Sequence, residues 1–334
     1  MIDRSPQVTT IVVNWNGRMH LEKCLSSLRA QTYRPHEIML VDNGSTDGSI
    51  EYVEQQFPEV SLIRLPKNLG FAAANNVGMR QSTGVYVAVL NNDAYAEPEW
   101  LERMVAAAER DRSIGLVACK LLFADSASMI NSTGLVMDWA GFVWGWRDGQ
   151  LDDPTESQPE ECFGASGAAA LYRRVMLNDI GLYDEDFFAY MEDADLNWRA
   201  RRAGWRCIYV PAARVYHVTS ATAGEGSRFK SFMLGRNKVW LFAKNMPGGR
   251  YLLTWLPTLI AYDILADVWG LIARRDIGAI EGRWAGLKGL RRMLHKRRES
   301  PTRTNAHLRL IKPLEWPWKI SARYRHTQQR AGAR

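Results

Sequence analysis

Residues 8–17 read Val-Thr-Thr-Ile-Val-Val-Asn-Trp-Asn-Gly, a β-branched run that stops in the polar turn Asn14-Trp15-Asn16-Gly17. A run with so few charged or strongly polar positions predicts a strand buried on both faces. Leu21, Cys24, Leu25 and Leu28 then recur at helical spacing, so a helix should follow. The pattern repeats. Ile38–Val41 is a second buried strand, closed by Asp42-Asn43-Gly44-Ser45-Thr46-Asp47-Gly48. A helix is predicted over Ser49–Phe57, a strand near Leu62–Leu65, a helix near Phe71–Ser82 and a strand over Val85–Leu90. That strand ends in Asn91-Asn92-Asp93, and Pro98 opens a helix reaching about Arg110.

Strands alternating with helices imply an α/β fold with a mostly parallel sheet covered on both faces. In such sheets ligands sit beyond the carboxyl ends of the strands. Asn14, Asp42 and Asp93 each fall at such an end and are expected on one rim. Beyond residue 115 the pattern is less regular, with Trp139, Trp144 and Trp146 in one stretch. A helix is predicted from about Asp193 to Gly204, then a strand Cys207–Val210 leading to Val215-Tyr216-His217.

With 46% hydrophobic and 24% charged residues among 334, the composition is that of a globular protein with a substantial core. The thirteen Trp suit carbohydrate faces and membrane interfaces as well as a core. The net charge of +7 is unevenly placed: residues 274–334 hold seventeen Lys/Arg against four Asp/Glu. A basic tail on a mildly acidic body points to an anionic surface. Membrane phospholipid is preferred to nucleic acid, because no nucleic-acid reader module accompanies the charge. The four cysteines are scattered without a CxxC pair, which argues against a zinc knot or a disulfide scaffold. No secretory signal is visible, so a cytoplasmic location is expected.

Tyr251–Ala273 is the strongest apolar stretch, long enough to cross a bilayer. Pro257 interrupts it, and Asp263 and Asp267 lie one turn apart. Two acids in lipid would cost several kcal/mol. An interfacial or re-entrant helix pair is therefore expected rather than a span, with the basic stretch Arg274–Arg298 as an electrostatic anchor; the alternative is a solvated helical face packed on the rest of the chain.

No GxGxxG follows a strand and no GxxxxGK[ST] occurs, so dinucleotide and P-loop readings lack their phosphate cradles. Carboxylates with a divalent cation are the usual substitute. Asp93 is the best metal candidate, although an Asp after a strand also suits a cap or a turn, as do Asp42 and Asp47. Glu192-Asp193-Ala194-Asp195 opens a helix, where the dipole favours acids. The apolar approach Phe187-Phe188-Ala189-Tyr190-Met191 should desolvate them, which raises a carboxylate's pKa and suits a general base. His217, read alone, fits a structural residue better than a ligand.

The segments 12–17, 42–48, 68–78, 91–93 and 184–196 occur in an order that resembles glycosyltransferase family 2, the inverting transferases of GT-A fold. The likeness covers roughly residues 8–240 and lies nearest the bacterial rhamnosyltransferase-like branch that builds cell-surface polysaccharide. It implies a catalytic domain over 1–245, with a nucleotide-binding half 1–115 and an acceptor half 116–245. A helical membrane-associating region, 246–334, would follow. By the same resemblance Asp193 is the general base and Glu192 supports it. Asn14, Asp42, Asn76 and Asn92 belong to the nucleotide pocket. Asp93 is the last acid of a metal-binding DxD motif, His217 completes the metal site, and Arg236 lies near the diphosphate. Asn91 stands where the first acid of that motif often lies. The implied cofactor is Mg2+ or Mn2+. The implied donor is a nucleotide sugar, with dTDP-L-rhamnose first and UDP- or GDP-hexoses open. The acceptor would be a glycan or polyprenyl-diphosphate-linked, at an anionic membrane surface on the inner face of the cell membrane. No nucleic-acid partner is implied. Two rivals stand beside this reading: a hydrolase using paired carboxylates, and a non-catalytic binder of sugar nucleotides or polyanions.

Overall fold

The computed structural model describes residues 7–218, 227–248 and 250–313. The chain begins β1 (Val8–Asn14), α1 (Arg18–Arg29), β2 (His36–Asp42), α2 (Ser49–Gln56), β3 (Ser61–Arg64) and α3 (Phe71–Gln81). It continues through β4 (Tyr86–Leu90), β5 (Ala94–Ala96), α4 (Trp100–Glu109) and β6 (Ile114–Phe123). Then come β7 (Ser126–Ser132), β8 (Leu135–Met137), β9 (Val143–Gly145), β10 (Glu160–Glu161), β11 (Ala169–Arg173) and α5 (Arg174–Ile180). The last part holds α6 (Glu192–Arg202), β12 (Arg206–His217), α7 (Arg228–Asn245), α8 (Arg250–Trp269), α9 (Gly278–Lys288) and α10 (Leu290–Glu299).

The main sheet has the order β10-β12-β6-β11-β4-β1-β2-β3, with β5 paired to β12 and β7 to β6. β12, β6, β4, β1, β2 and β3 point the same way, and β11 runs antiparallel between β4 and β6. Every residue of β4 and β6 is buried, which is why these strands read as unbroken apolar runs. α1, α2 and α4 pack on one face through Leu21, Leu25, Val53, Trp100 and Met104. α3, α5 and α6 cover the other through Ala74, Met79, Leu177 and Leu196. β12 is one strand rather than two short segments, with a register shift between Val210 and Arg214. Pro211 lies inside the shift and brings no N–H to the ladder.

A third core joins Phe163, Phe187 and Trp198 to Trp240, Trp255, Met293 and Ile311. Packing therefore runs without a break across position 245. Trp100, Trp198, Trp240 and Trp255 are all core residues. The expected helix pair at 251–273 is instead one helix, α8, which passes through Pro257 into a π-helical turn at Gly270–Arg274. The bond that Pro257 cannot make falls where both Leu253 and Pro257 are exposed, so solvent can take its place.

Candidate active site

β1 and β2 end side by side, with Asn14 opposite Asp42. Asn14 Nδ2 donates to Asp42 Oδ1 (3.2 Å) and Ser45 Oγ (3.1 Å), and the Ser45 amide donates to Asp42 Oδ2 (2.9 Å). Asn92, just past β4, donates from Nδ2 to Asn14 Oδ1 (2.8 Å). Three strand ends are thus joined on one rim. Gly17 lets the start of α1 come against this network, since any Cβ there would overlap Asn92 and Asn14.

Asn14, Asp42 and Asn92 are all buried, with Asn14 bonded to both of the others. Asn76 is also buried: Nδ2 donates to the Tyr183 carbonyl (2.8 Å) and Glu185 Oε1 (3.0 Å), and Oδ1 accepts from the Tyr183 amide (3.0 Å). Buried polar groups find partners, and here they find each other. Asn14, Asp42 and Asn92 frame the rim, and Asn76 ties α3 to the segment before α6.

Beyond β4, His217 Nε2 lies 3.2 Å from Asp93 Oδ1. His217 Nδ1 is 3.0 Å from Asn131 Oδ1, an acceptor for an Nδ1 proton, and Nε2 is 3.4 Å from Asn91 Nδ2. An imidazole nitrogen and a carboxylate oxygen this close can share a proton or a metal cation. Asp93 Oδ1 and Asn91 Oδ1 are both buried without a hydrogen-bond partner. Burial pushes the Asp93 carboxyl up, but the neighbouring His217 outweighs it and holds the group below its ordinary value. Among the described residues no three His, Cys, Asp or Glu side chains gather as a metal set. The donors here are one carboxylate, one imidazole and one amide oxygen, which fits a hard divalent cation that takes its remaining ligands from phosphate and water.

The approach to α6 is strained. Phe188, Tyr190 and Met191 have φ of +63°, +68° and +66°, each costing on the order of 1 kcal/mol or more. Asn237 holds them, donating to the carbonyls of Phe187 (3.0 Å), Ala189 (2.9 Å) and Tyr190 (2.7 Å). Arg236, which the family resemblance puts near the diphosphate, donates to the carbonyls of Asp186 (3.2 Å) and Phe187 (2.9 Å) and lies over the Trp240 ring.

Asp195 fixes α6 from below: its carboxylate is fully buried and accepts from Arg199 Nε (2.8 Å), Lys244 Nζ (2.9 Å) and Asn245 Nδ2 (2.7 Å). Burial pushes that carboxyl up, yet Lys244 and Arg199 hold it far below its usual range. Lys244 also bonds Asp184 (2.7 Å), so one cation ties the approach segment to the helix. From this footing the first turn presents Glu192 and Asp193. Asp193 is half-buried and accepts from the amides of Gly167 (2.9 Å, at Oδ2) and Ala194 (2.7 Å, at Oδ1). Glu192 is 5% exposed, and its Oε2 has no partner. Burial raises both carboxyls, and Asp193 pushes Glu192 higher still, while two backbone amides favour the charged form of Asp193. The amides thus favour a shared charge on Asp193 over Glu192.

Asp193 and the Asp93 cluster are linked through the sheet. The Asn91 amide donates to the Ala168 carbonyl (2.9 Å), one residue from Gly167. Gly167, Asn131, Asn237 and Lys244 were not singled out from the sequence. The small-residue run Gly164-Ala165-Ser166-Gly167-Ala168 was the available signal for the first.

The family described as Glycosyl transferase family 2 matches residues 9–181. The chain is 30% identical over 235 residues to N-acetylglucosaminyl-diphospho-decaprenol L-rhamnosyltransferase of Mycobacterium tuberculosis, covering 64% of this chain and 76% of that protein. Among solved structures it resembles S. aureus TarS 1–349 (TM-score 0.59, 16% identity, 91% of this chain and 83% of that one). It also resembles the mannosyltransferase PcManGT of Pyrobaculum calidifontis in complex with GDP-Man and Mn2+ (TM-score 0.54, 20% identity, 89% and 85%). At these identities the structural likeness is one of fold.

Proposed function

The chain belongs to glycosyltransferase family 2 and has its GT-A fold, and on that premise we propose an inverting, cation-assisted transfer of a sugar from a nucleotide sugar to an acceptor hydroxyl. The favoured sugar is L-rhamnose and the favoured acceptor a polyprenyl-diphosphate-linked glycan, by analogy with the mycobacterial relative's name, and the family resemblance makes dTDP-L-rhamnose the favoured donor. The work would take place at the cytoplasmic face of the cell membrane, in cell-surface polysaccharide synthesis. One observation carries the proposal: an amide-held carboxylate, Asp193, sits one bonded residue away from the strand end that bears Asn91 and Asp93.

Asp93, His217 and Asn91 Oδ1 are the residues that would hold Mg2+ or Mn2+, which when bound neutralises charge on the departing diphosphate. Asp193 accepts the proton of the acceptor hydroxyl while that oxygen attacks the anomeric carbon from the side opposite the diphosphate. One displacement inverts the centre. Glu192 keeps its proton and leaves Asp193 as the single charge of the pair. Asn14, Asp42, Asn76 and Asn92 act as the frame of the nucleotide pocket rather than its lining, and Arg236 as a support for the turn before α6. Incubating the full chain with a panel of nucleotide sugars, Mn2+ and a lipid-linked glycan tests the reading. Acceptor-dependent release of nucleoside diphosphate supports it; release that ignores the acceptor indicates a hydrolase instead.

A further inference from the structure

By length and composition Leu253–Ile272 is the one candidate membrane span among the described residues. The geometry points to a different use: α8, α9 and α10 form a docking face that lies in one leaflet of an anionic bilayer without crossing it. This deepens the lipid-linked reading of the acceptor and rests on it for its purpose.

The two acids that make a span expensive point inward. Asp263 pairs with Lys238 of α7 (2.5 Å) and Arg283 of α9 (3.1 Å), and Asp267 pairs with Arg283. α9 is in turn fixed to α7 by closely packed glycines. A Cβ at Gly282 would overlap the Phe232 carbonyl, and one at Gly286 would lie 2.8 Å from Val239 Cβ. Helices that approach this closely have little freedom to rotate. α8 is thus held by charge and α9 by packing, and a spanning helix would have to tear the Lys238–Asp263–Arg283–Asp267 network apart inside lipid.

What remains outside is apolar. Leu256, Ile260, Ile264, Leu265, Val268 and Trp269 recur at helical spacing along α8, each at least 40% exposed. Trp284 and Leu287 extend the exposed apolar surface on α9, at 64% and 51%, and Leu294 does so on α10. A patch of this kind marks an interaction surface. Its charge selects the partner. Arg275, Lys288, Arg291 and Arg298 are exposed on the same stretch of chain. Such a face would repel its own copy and attract anionic headgroups. Trp269 and Trp284 have the amphipathic rings that settle at a lipid–water boundary.

The test is flotation of the full chain with phosphatidylcholine vesicles, with and without phosphatidylglycerol, at low salt. The wild type should float with the phosphatidylglycerol vesicles and wash off in alkaline carbonate. Ile264→Asp with Trp284→Asp should lower vesicle affinity by about tenfold or more. Arg291→Glu with Arg298→Glu should weaken binding and flatten its salt dependence. All of these positions are exposed, so melting temperatures should match the wild type. Carbonate-resistant membrane association would show a span and overturn the proposal. So would unchanged flotation of the Ile264/Trp284 variant, or a wild type that ignores vesicles and dimerises through this face. A protein that floats yet turns over no donor contradicts the transferase reading and leaves the docking face standing.

Discussion

The backbone amide of Gly167 donates to Asp193 Oδ2 at 2.9 Å, across twenty-six residues of chain. Through the Ala168 carbonyl and the Asn91 amide this bond continues to the end of β4. The carboxylate that would act as base and the set that would hold the cation are therefore connected through the turn that enters β11, beside the end of β4.

A methyl group at Gly167 would lie 3.3 Å from Asp193 Cβ, tight enough to displace the carboxylate by a few tenths of an ångström. Gly167→Ala should lower kcat about tenfold with donor KM unchanged, because positioning and not binding is disturbed. Steady-state kinetics decide this, and an unaltered kcat would detach Gly167 from the base.

Glu192 has a raised folded-state pKa from burial and from Asp193. The fold prefers its neutral form, so its contribution is most favourable below the unfolded carboxyl pKa of about 4.3 and declines as pH rises through the folded value. Glu192→Gln should raise the melting temperature by roughly 2 °C or more near pH 8 and by less near pH 5. Equal melting at both pH values would mean that Glu192 is not held protonated.

Asp195 has the opposite sign. Its folded pKa is depressed, so its stabilisation is complete above an unfolded value of about 3.9 and is lost as pH falls below it. Lys244→Met, which removes one cation from both Asp195 and Asp184, should cost about 3 kcal/mol in urea unfolding at neutral pH. A change under roughly 0.5 kcal/mol would show the clamp to be idle.

Asn91 Oδ1 is buried without a hydrogen-bond partner, and an acid at this position would add a charge to the set that would hold the cation. Asn91→Asp should tighten Mn2+ binding about tenfold, and Asp93→Ala should weaken it by at least as much. Titration calorimetry without substrate reads both. Identical affinities in the three proteins would move the cation elsewhere.

The sheet was legible because β1, β2, β4 and β6 are buried on both faces and so print continuous apolar runs. The acids that open α6 were legible because an aromatic segment leads into them. Partner choice was not. Asn14, Asp42 and Asn92 have the residue types of ligand contacts, but nothing in their order reveals that Asn14 bonds the other two. Arg236 drew attention by its charge, whereas the adjacent Asn237 holds three carbonyls of the strained turn. Pro257 read as a break because sequence does not show that its lost bond faces outward.

The most direct test of the central claim is Asp193→Asn in the presence of Mn2+, nucleotide sugar and acceptor. Turnover should fall by about 10²–10⁴ while donor affinity by calorimetry stays within a few-fold of wild type. Near-normal turnover in that variant would contradict the assignment of Asp193 as the base and, with it, the reaction proposed for this site.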